Sequence, residues 1–149
     1  MKTIDRPEVR ASLISRLQRL DPAAPGKWGR LTCQQMLVHV ADAMERVTRG
    51  ERFTGESASF PRLIKFVALG TSLSWPSGLP SGGDPASTEV DENRFEDERA
   101  RTIEALEAMA AADGSSFSAS HPAFGPMSTR NWLRWAQRHL DHHLKQFGV

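Results

Sequence analysis

A chain of 149 residues, 39% hydrophobic and 25% charged, has enough material to bury a core without disulfides or metal staples. Its net charge of +1 removes the global electrostatic case for a nucleic-acid partner, and no apolar run approaches the roughly 20 residues a membrane span needs. A single cysteine, Cys33, excludes an internal disulfide, and charges stand in "MKTIDRPEVRASLI" where a signal peptide needs an apolar stretch, so the expectation is one cytoplasmic domain over residues 1–149.

The first helix is predicted over residues 6–20. "PEVRASLISRLQRL" opens with Pro and Glu, which suit a first turn and the helix dipole, and Val9, Leu13, Ile14, Leu17 and Leu20 recur at helical steps. Two prolines and two glycines in "DPAAPGKWGR" end it. The second helix, residues 32–49, begins at Thr32, which pairs with Gln35 as a capping box. Cys33, Met36, Leu37, Val40, Met44 and Val47 make its apolar stripe.

Residues 50–88 form a long connection. "PRLIKFVALG" within it can form a short fifth helix, whereas 12 of the 19 residues from Gly70 to Thr88 are Gly, Pro or Ser, which argues against regular structure there. A connection this long lets the helices on either side run parallel. It points to a crossover that partly covers a site, with Trp75 as an anchor. The third helix, residues 89–112, carries Phe95, Thr102, Ile103, Leu106 and Met109 at helical spacing, with Gly114 as its stop. Residues 89–107 hold eight acids against three arginines, which reads as a solvated face rather than a site. The fourth helix, residues 128–147, starts from Ser128 or Thr129. No strand-period stretch stands out. The fold class expected is all-α, a four-helix bundle with a long crossover between helices two and three.

Familiar catalytic signatures do not occur. "GLPSGG" lacks the spacing and the Lys-Ser/Thr of a phosphate loop, and there is no H-E-x-x-H, nucleophile elbow or C-x-x-C. The chemistry sits in "RHLDHHLKQF", which holds three of the five histidines. At about 100° per residue with Trp132 at zero, Leu140 falls near 80°, Phe147 near 60°, His143 near 20° and His139 near −20°. His139 and His143 therefore share the apolar face one turn apart, and His142 lies at its margin, about −80°. Two buried imidazoles without partners cost on the order of 1–3 kcal/mol per unpaired group. A divalent ion satisfies both, and the i, i+4 spacing is how one helix offers two ligands. For a third ligand the chain has His39, about 110° from the centre of the second helix's stripe and so facing a groove, and His121 in a Pro-rich loop. His39 is preferred, because loops place ligands less reproducibly. Cys33 reads as core, although a first-turn position could lower its pKa. Trp28, Trp132 and Trp135 read as core or groove lining.

"KWGRLTCQQMLVHVADAM" and "HPAFGPMSTRNWLRWAQRHLDHHLKQFGV" closely resemble the DinB/YfiT-like superfamily of helical bundles. The second block looks like a subfamily of uncharacterised bacterial proteins ending in HLDHHLxQFG. The resemblance covers both ends of the chain and is weaker through residues 50–90. It implies a four-helix bundle with a long crossover. It also implies a metal site taking one histidine from the second helix and two, spaced H-x-x-x-H, from the last: His39, His139 and His143 by position. Some relatives are S-transferases or isomerases that use low-molecular-weight thiols such as mycothiol or bacillithiol, and others have no assigned reaction. Relatives often self-associate, so a homodimer is expected too.

The leading functional expectation is a zinc- or nickel-dependent enzyme acting on a small-molecule substrate, a thiol S-transferase by analogy. Three histidines leave coordination positions open, as catalytic sites do. A metal-dependent hydrolase is the alternative, followed by a non-enzymatic metal- or ligand-binding or dimerisation module. His142 and Asp42 are candidate bases, and no catalytic residue is assigned.

Overall fold

The computed structural model describes residues 2–53, 58–76 and 85–149. Among these, five helices carry the fold: α1 Pro7–Gln18, α2 Cys33–Thr48, α3 Pro61–Gly70, α4 Phe95–Ala111 and α5 Thr129–Gln146. None of them is long and apolar enough to cross a membrane.

Each helix begins for a local reason. Pro7 opens α1 and Pro61 opens α3, where a missing N–H costs nothing. The capping box at α2 is present in both directions, with Thr32 Oγ1 accepting from Gln35 N at 3.1 Å and Gln35 Oε1 accepting from Thr32 N at 3.0 Å. The same Gln35 donates through Nε2 to the Ala86 and Thr88 carbonyls, so the cap of α2 also holds the end of the crossover. Ser128 caps α5 by accepting from Asn131 N.

Four of the helices form the bundle, and hydrogen bonds give their directions. Gln34 near the start of α2 meets Asp91 just ahead of α4, and Thr48 and Arg49 at its end lie beside Ala105 and Ala108. Positions advance together, so α2 and α4 run parallel. Ile4 bonds Leu133 and Arg16 bonds both Asp141 and Val149, so α1 and α5 run parallel as well. Two parallel neighbours cannot be joined by a tight turn, which is why residues 49–94 are needed between α2 and α4. Leu13, Leu17, Met36, Leu37, Val40, Met44, Leu106, Met109, Trp132, Ala136, Leu140 and Leu144 fill the centre at no more than 2% exposure. The Trp132 indole N–H donates to Ser118 O at 2.6 Å and so meets its one polar need.

The crossover is pinned to α5 by cations. Buried Arg134 donates to Leu69 O and Thr71 O at 3.3 Å, closing the carbonyl end of α3, and also to Gln137 Oε1 and Lys2 O at 2.8 Å. Arg138 donates to Leu73 O. Trp75, expected as an anchor, donates from its indole to Ala68 O at 2.9 Å and packs near Phe124, His139 and His142.

Three local expectations differ from the structure. The third bundle helix starts at Phe95 rather than residue 89, because Asp91 accepts from Asn93 N and closes a 3-10 turn, Glu92–Arg94, ahead of it. Residues 85–88 hold one 3-10 turn, Pro85–Ser87, where no regular structure was expected. A two-stranded antiparallel hairpin, β1 Ser120–His121 with β2 Gly125–Pro126, stands in the loop before α5, too short to show a period of two. The "GLPSGG" stretch and residues 54–57 lie outside the described residues.

Gly114, expected as the stop of α4, lies in the turn beyond it, since Ala112 is already extended at φ −68° and ψ 145°. The φ of Gly114 is +82°, and a Cβ there would lie 2.3 Å from Thr129 Cγ2. Gly114→Ala is expected to destabilise the protein by about 1–3 kcal/mol in denaturant unfolding, through backbone strain and collision with the start of α5.

Candidate metal centre

The apolar face of α5 turns His139 and His143 inward, each with 9% exposure, and α2 brings half-buried His39 opposite them. The three rings form a nearly equilateral triangle, with centroids 5.0, 5.1 and 4.8 Å apart and planes edge to face. One ring nitrogen from each lies within 4.8 Å of the others. His39 Nε2 and His139 Nε2 stand 3.1 Å apart. A tetrahedral ion with Zn–N bonds of about 2.0–2.1 Å holds its nitrogens about 3.3 Å apart. One edge already has that spacing, and binding would draw the third nitrogen closer.

The proton positions around His143 follow from a chain of partners. Gln146 Nε2 lies 2.6 Å from Trp28 O, a carbonyl that can only accept. The amide nitrogen must therefore face Trp28, and Oε1 faces His143 Nδ1 at 2.8 Å. An amide oxygen can only accept, so His143 carries its proton on Nδ1. Nε2 is left with a bare lone pair, the form a metal ligand needs. Gln146 was missed in the sequence, although its i+3 spacing from His143 put it within reach. The loop before α2 makes room for this contact. Gly29 has φ +75°, and a Cβ there would sit 3.0 Å from Gln146 Nε2.

His139 is the most confined ring. Trp135 stacks on it at 4.7 Å and 28°, and its Nδ1 is buried with no hydrogen-bond partner among the described residues. Burial and the neighbouring rings hold its pKa well below the ordinary histidine value. Burial pushes His143 down to about 3 and lowers His39, whose slope is opposed by Asp42. All three are neutral at pH 7, so all three can ligate.

The remaining candidates fall elsewhere. His121 accepts from Ala123 N through Nδ1 at 3.1 Å, stacks on Phe124 and stays outside the cluster, with burial lowering its pKa to about 4. His142 points aside, as its angle indicated, into a cleft with Trp28 and Trp75. Cys33 is core at 1% exposure, and burial pushes its thiol up to about 11, so desolvation outweighs any lowering by the helix start. Asp42 is committed to Arg101 at 2.5 Å.

These shifts set an acid limit on the fold. The unfolded chain takes up protons on these histidines below about pH 6.5, while the folded chain keeps them neutral. The unfolded state then binds more protons, so stability falls as pH drops from about 6.5 towards 3. Thermal unfolding of metal-free protein is expected to show Tm falling steadily between pH 7 and 4. The slope should be shallower in the double variant His139→Leu, His143→Leu.

The triad is compatible with a divalent-metal site among the described residues. No curated protein and no solved structure matches the chain. One family model, that of the DinB superfamily, matches residues 7–147, a span running from the first residue of α1 to one residue past α5. With that coverage, the chain belongs to the DinB superfamily.

Proposed function

We propose that His39, His139 and His143 hold a divalent ion, zinc or nickel, and that the protein is a metal-dependent enzyme that transfers a low-molecular-weight thiol to a small-molecule substrate. The observation that carries the reading is the ring triangle together with the His143 proton on Nδ1, which leaves its Nε2 free to ligate. Three neutral ligands leave the full charge of an ion uncompensated and at least one coordination position open. A bound ion there supplies Lewis acidity, which lowers the pKa of a thiol or a water.

Two further observations favour thiol transfer over hydrolysis. Cys33, the chain's one thiol, is buried and protonated, so a thiol nucleophile has to arrive as a substrate. The carboxylates nearest the cluster are already engaged, Asp42 by Arg101 and Asp141 by Arg16 and Lys145. A thiol made acidic by an ion needs little further help to lose its proton, whereas attack by water gains from a free carboxylate base. The work of the chain is to hold the rings, fix the His143 proton through Gln146, and exclude bulk water with Trp75 and Trp135 over His139.

Elemental analysis and calorimetric titration of untagged, chelator-stripped protein test the site. One ion per chain is expected for the wild type. His139→Ala should abolish stoichiometric binding and His142→Ala should leave it largely intact. The double variant His139→Leu, His143→Leu should lose the ion and keep the fold, since apolar groups replace polar ones on an apolar face. A metal-free wild type with a lower Tm in the double variant would overturn the reading. A screen of thiols with electrophiles against esters and amides then separates transfer from hydrolysis.

Gln146→Leu keeps the size of the side chain but removes the acceptor. It is expected to weaken metal affinity by about 10- to 100-fold in the same titration, with helical content unchanged.

A further inference from the structure

Beside the histidine triangle, α5 presents a second face. Arg138, His142 and Lys145 recur there at helical spacing and line a cleft of about 390 Å³ with Lys27, Trp28 and Trp75. The His142 ring is 5.3 Å from that of His143, and Trp75 is 6.4 Å from His139, so the cleft adjoins the cluster without including it.

Its charges do not cancel. Asp141, the one carboxylate among the described residues of the lining, is neutralised twice over, by Arg16 at 2.6 Å and Lys145 at 2.7 Å. Lys27 and Arg138 have no carboxylate partner among the described residues. Arg138 spends one N–H on Leu73 O, and its guanidinium lies 5.9 Å from the Trp75 ring centre. The His142 ring makes no hydrogen bond among the described residues, and indoles approach it at 5.4 Å (Trp28) and 6.1 Å (Trp75). A guanidinium presents parallel donors that fit an oxyanion, an ammonium adds a movable charge, and indole faces favour a flat apolar body. These groups together describe one kind of guest.

We propose that this cleft binds a small organic oxyanion, a carboxylate or a phosphate ester carried on a flat apolar body. The charged end pairs with Arg138 and Lys27, and the body lies against Trp28 and Trp75. Its place next to the triangle makes it the anchor for the molecule acted on there. That second step rests on the metal-dependent reading above, whereas oxyanion binding does not.

The test is titration of the full chain with phenyl phosphate and with benzoate, in chelator, followed by tryptophan fluorescence and by calorimetry, with benzyl alcohol as the neutral control. Saturable binding of at least one oxyanion is expected, weakened by added salt, with benzyl alcohol bound at least about tenfold more weakly. Lys27 is exposed, so Lys27→Gln leaves the fold intact. It and Arg138→Gln, with helicity checked, should each lower affinity by about tenfold or more. The preference between the two probes tells phosphate from carboxylate. The double variant His139→Leu, His143→Leu should bind the oxyanion as the wild type does, which separates failure of the metal reading from failure of this one. No saturable binding up to about 10 mM, or wild-type affinity in either cleft variant, would overturn the proposal.

Discussion

Everything distinctive in this molecule follows from placing uncharged imidazoles between α2 and α5, where water would otherwise have to follow them. His139 is walled by Trp135, and its Nε2 is 3.1 Å from that of His39. Two facing Nε2 atoms can share at most one proton, and whichever way it points, the buried Nδ1 of His139 stays unmatched among the described residues. Leucine at that position would stabilise the bundle more simply. A polar arrangement kept where an apolar one fits better is what a working site looks like when it is held against the stability of its scaffold.

The bundle supplies what that arrangement needs. Parallel α2 and α4 force a long crossover, and the crossover is fastened along α5 by Arg134 and Arg138, while Trp75 ties its own stretch back to α3. Arg134 and Arg138 sit on the same helix as His139, His142 and His143. The element that carries the site also locates its cover. Loss of regular structure in the connection is thus no loss of definition near the histidines, because its described end is held residue by residue.

Much of this could be read from the chain itself. Periodicity located the four bundle helices, and an angle of about 110° put His39 towards a groove rather than the core or solvent. Helical geometry also separated His142 from its two neighbours. What escaped were features decided by tertiary contact. The start of α4 moved to Phe95 because Asp91 is claimed by Gln34 and Asn93. Cys33 did read as core from its stripe, but how strongly burial raises its thiol is a property of the whole bundle. Gln146 looked like an ordinary polar residue near a terminus until Trp28, 118 positions away, appeared as its partner. No local pattern encodes that pairing.

Gly29 belongs to neither helix of the site and touches no histidine, yet it governs one of them. Its positive φ and missing Cβ let Gln146 reach the Trp28 carbonyl, and through Gln146 they determine which nitrogen of His143 is bare. A side chain at position 29 would strain the backbone and crowd Gln146 Nε2, the atom that meets Trp28, rather than any histidine directly. Positions 29, 146 and 143 therefore form an epistatic set. A lesion in the loop would present as a ligand defect, and a compensating change would be sought at Gln146 rather than beside the lesion.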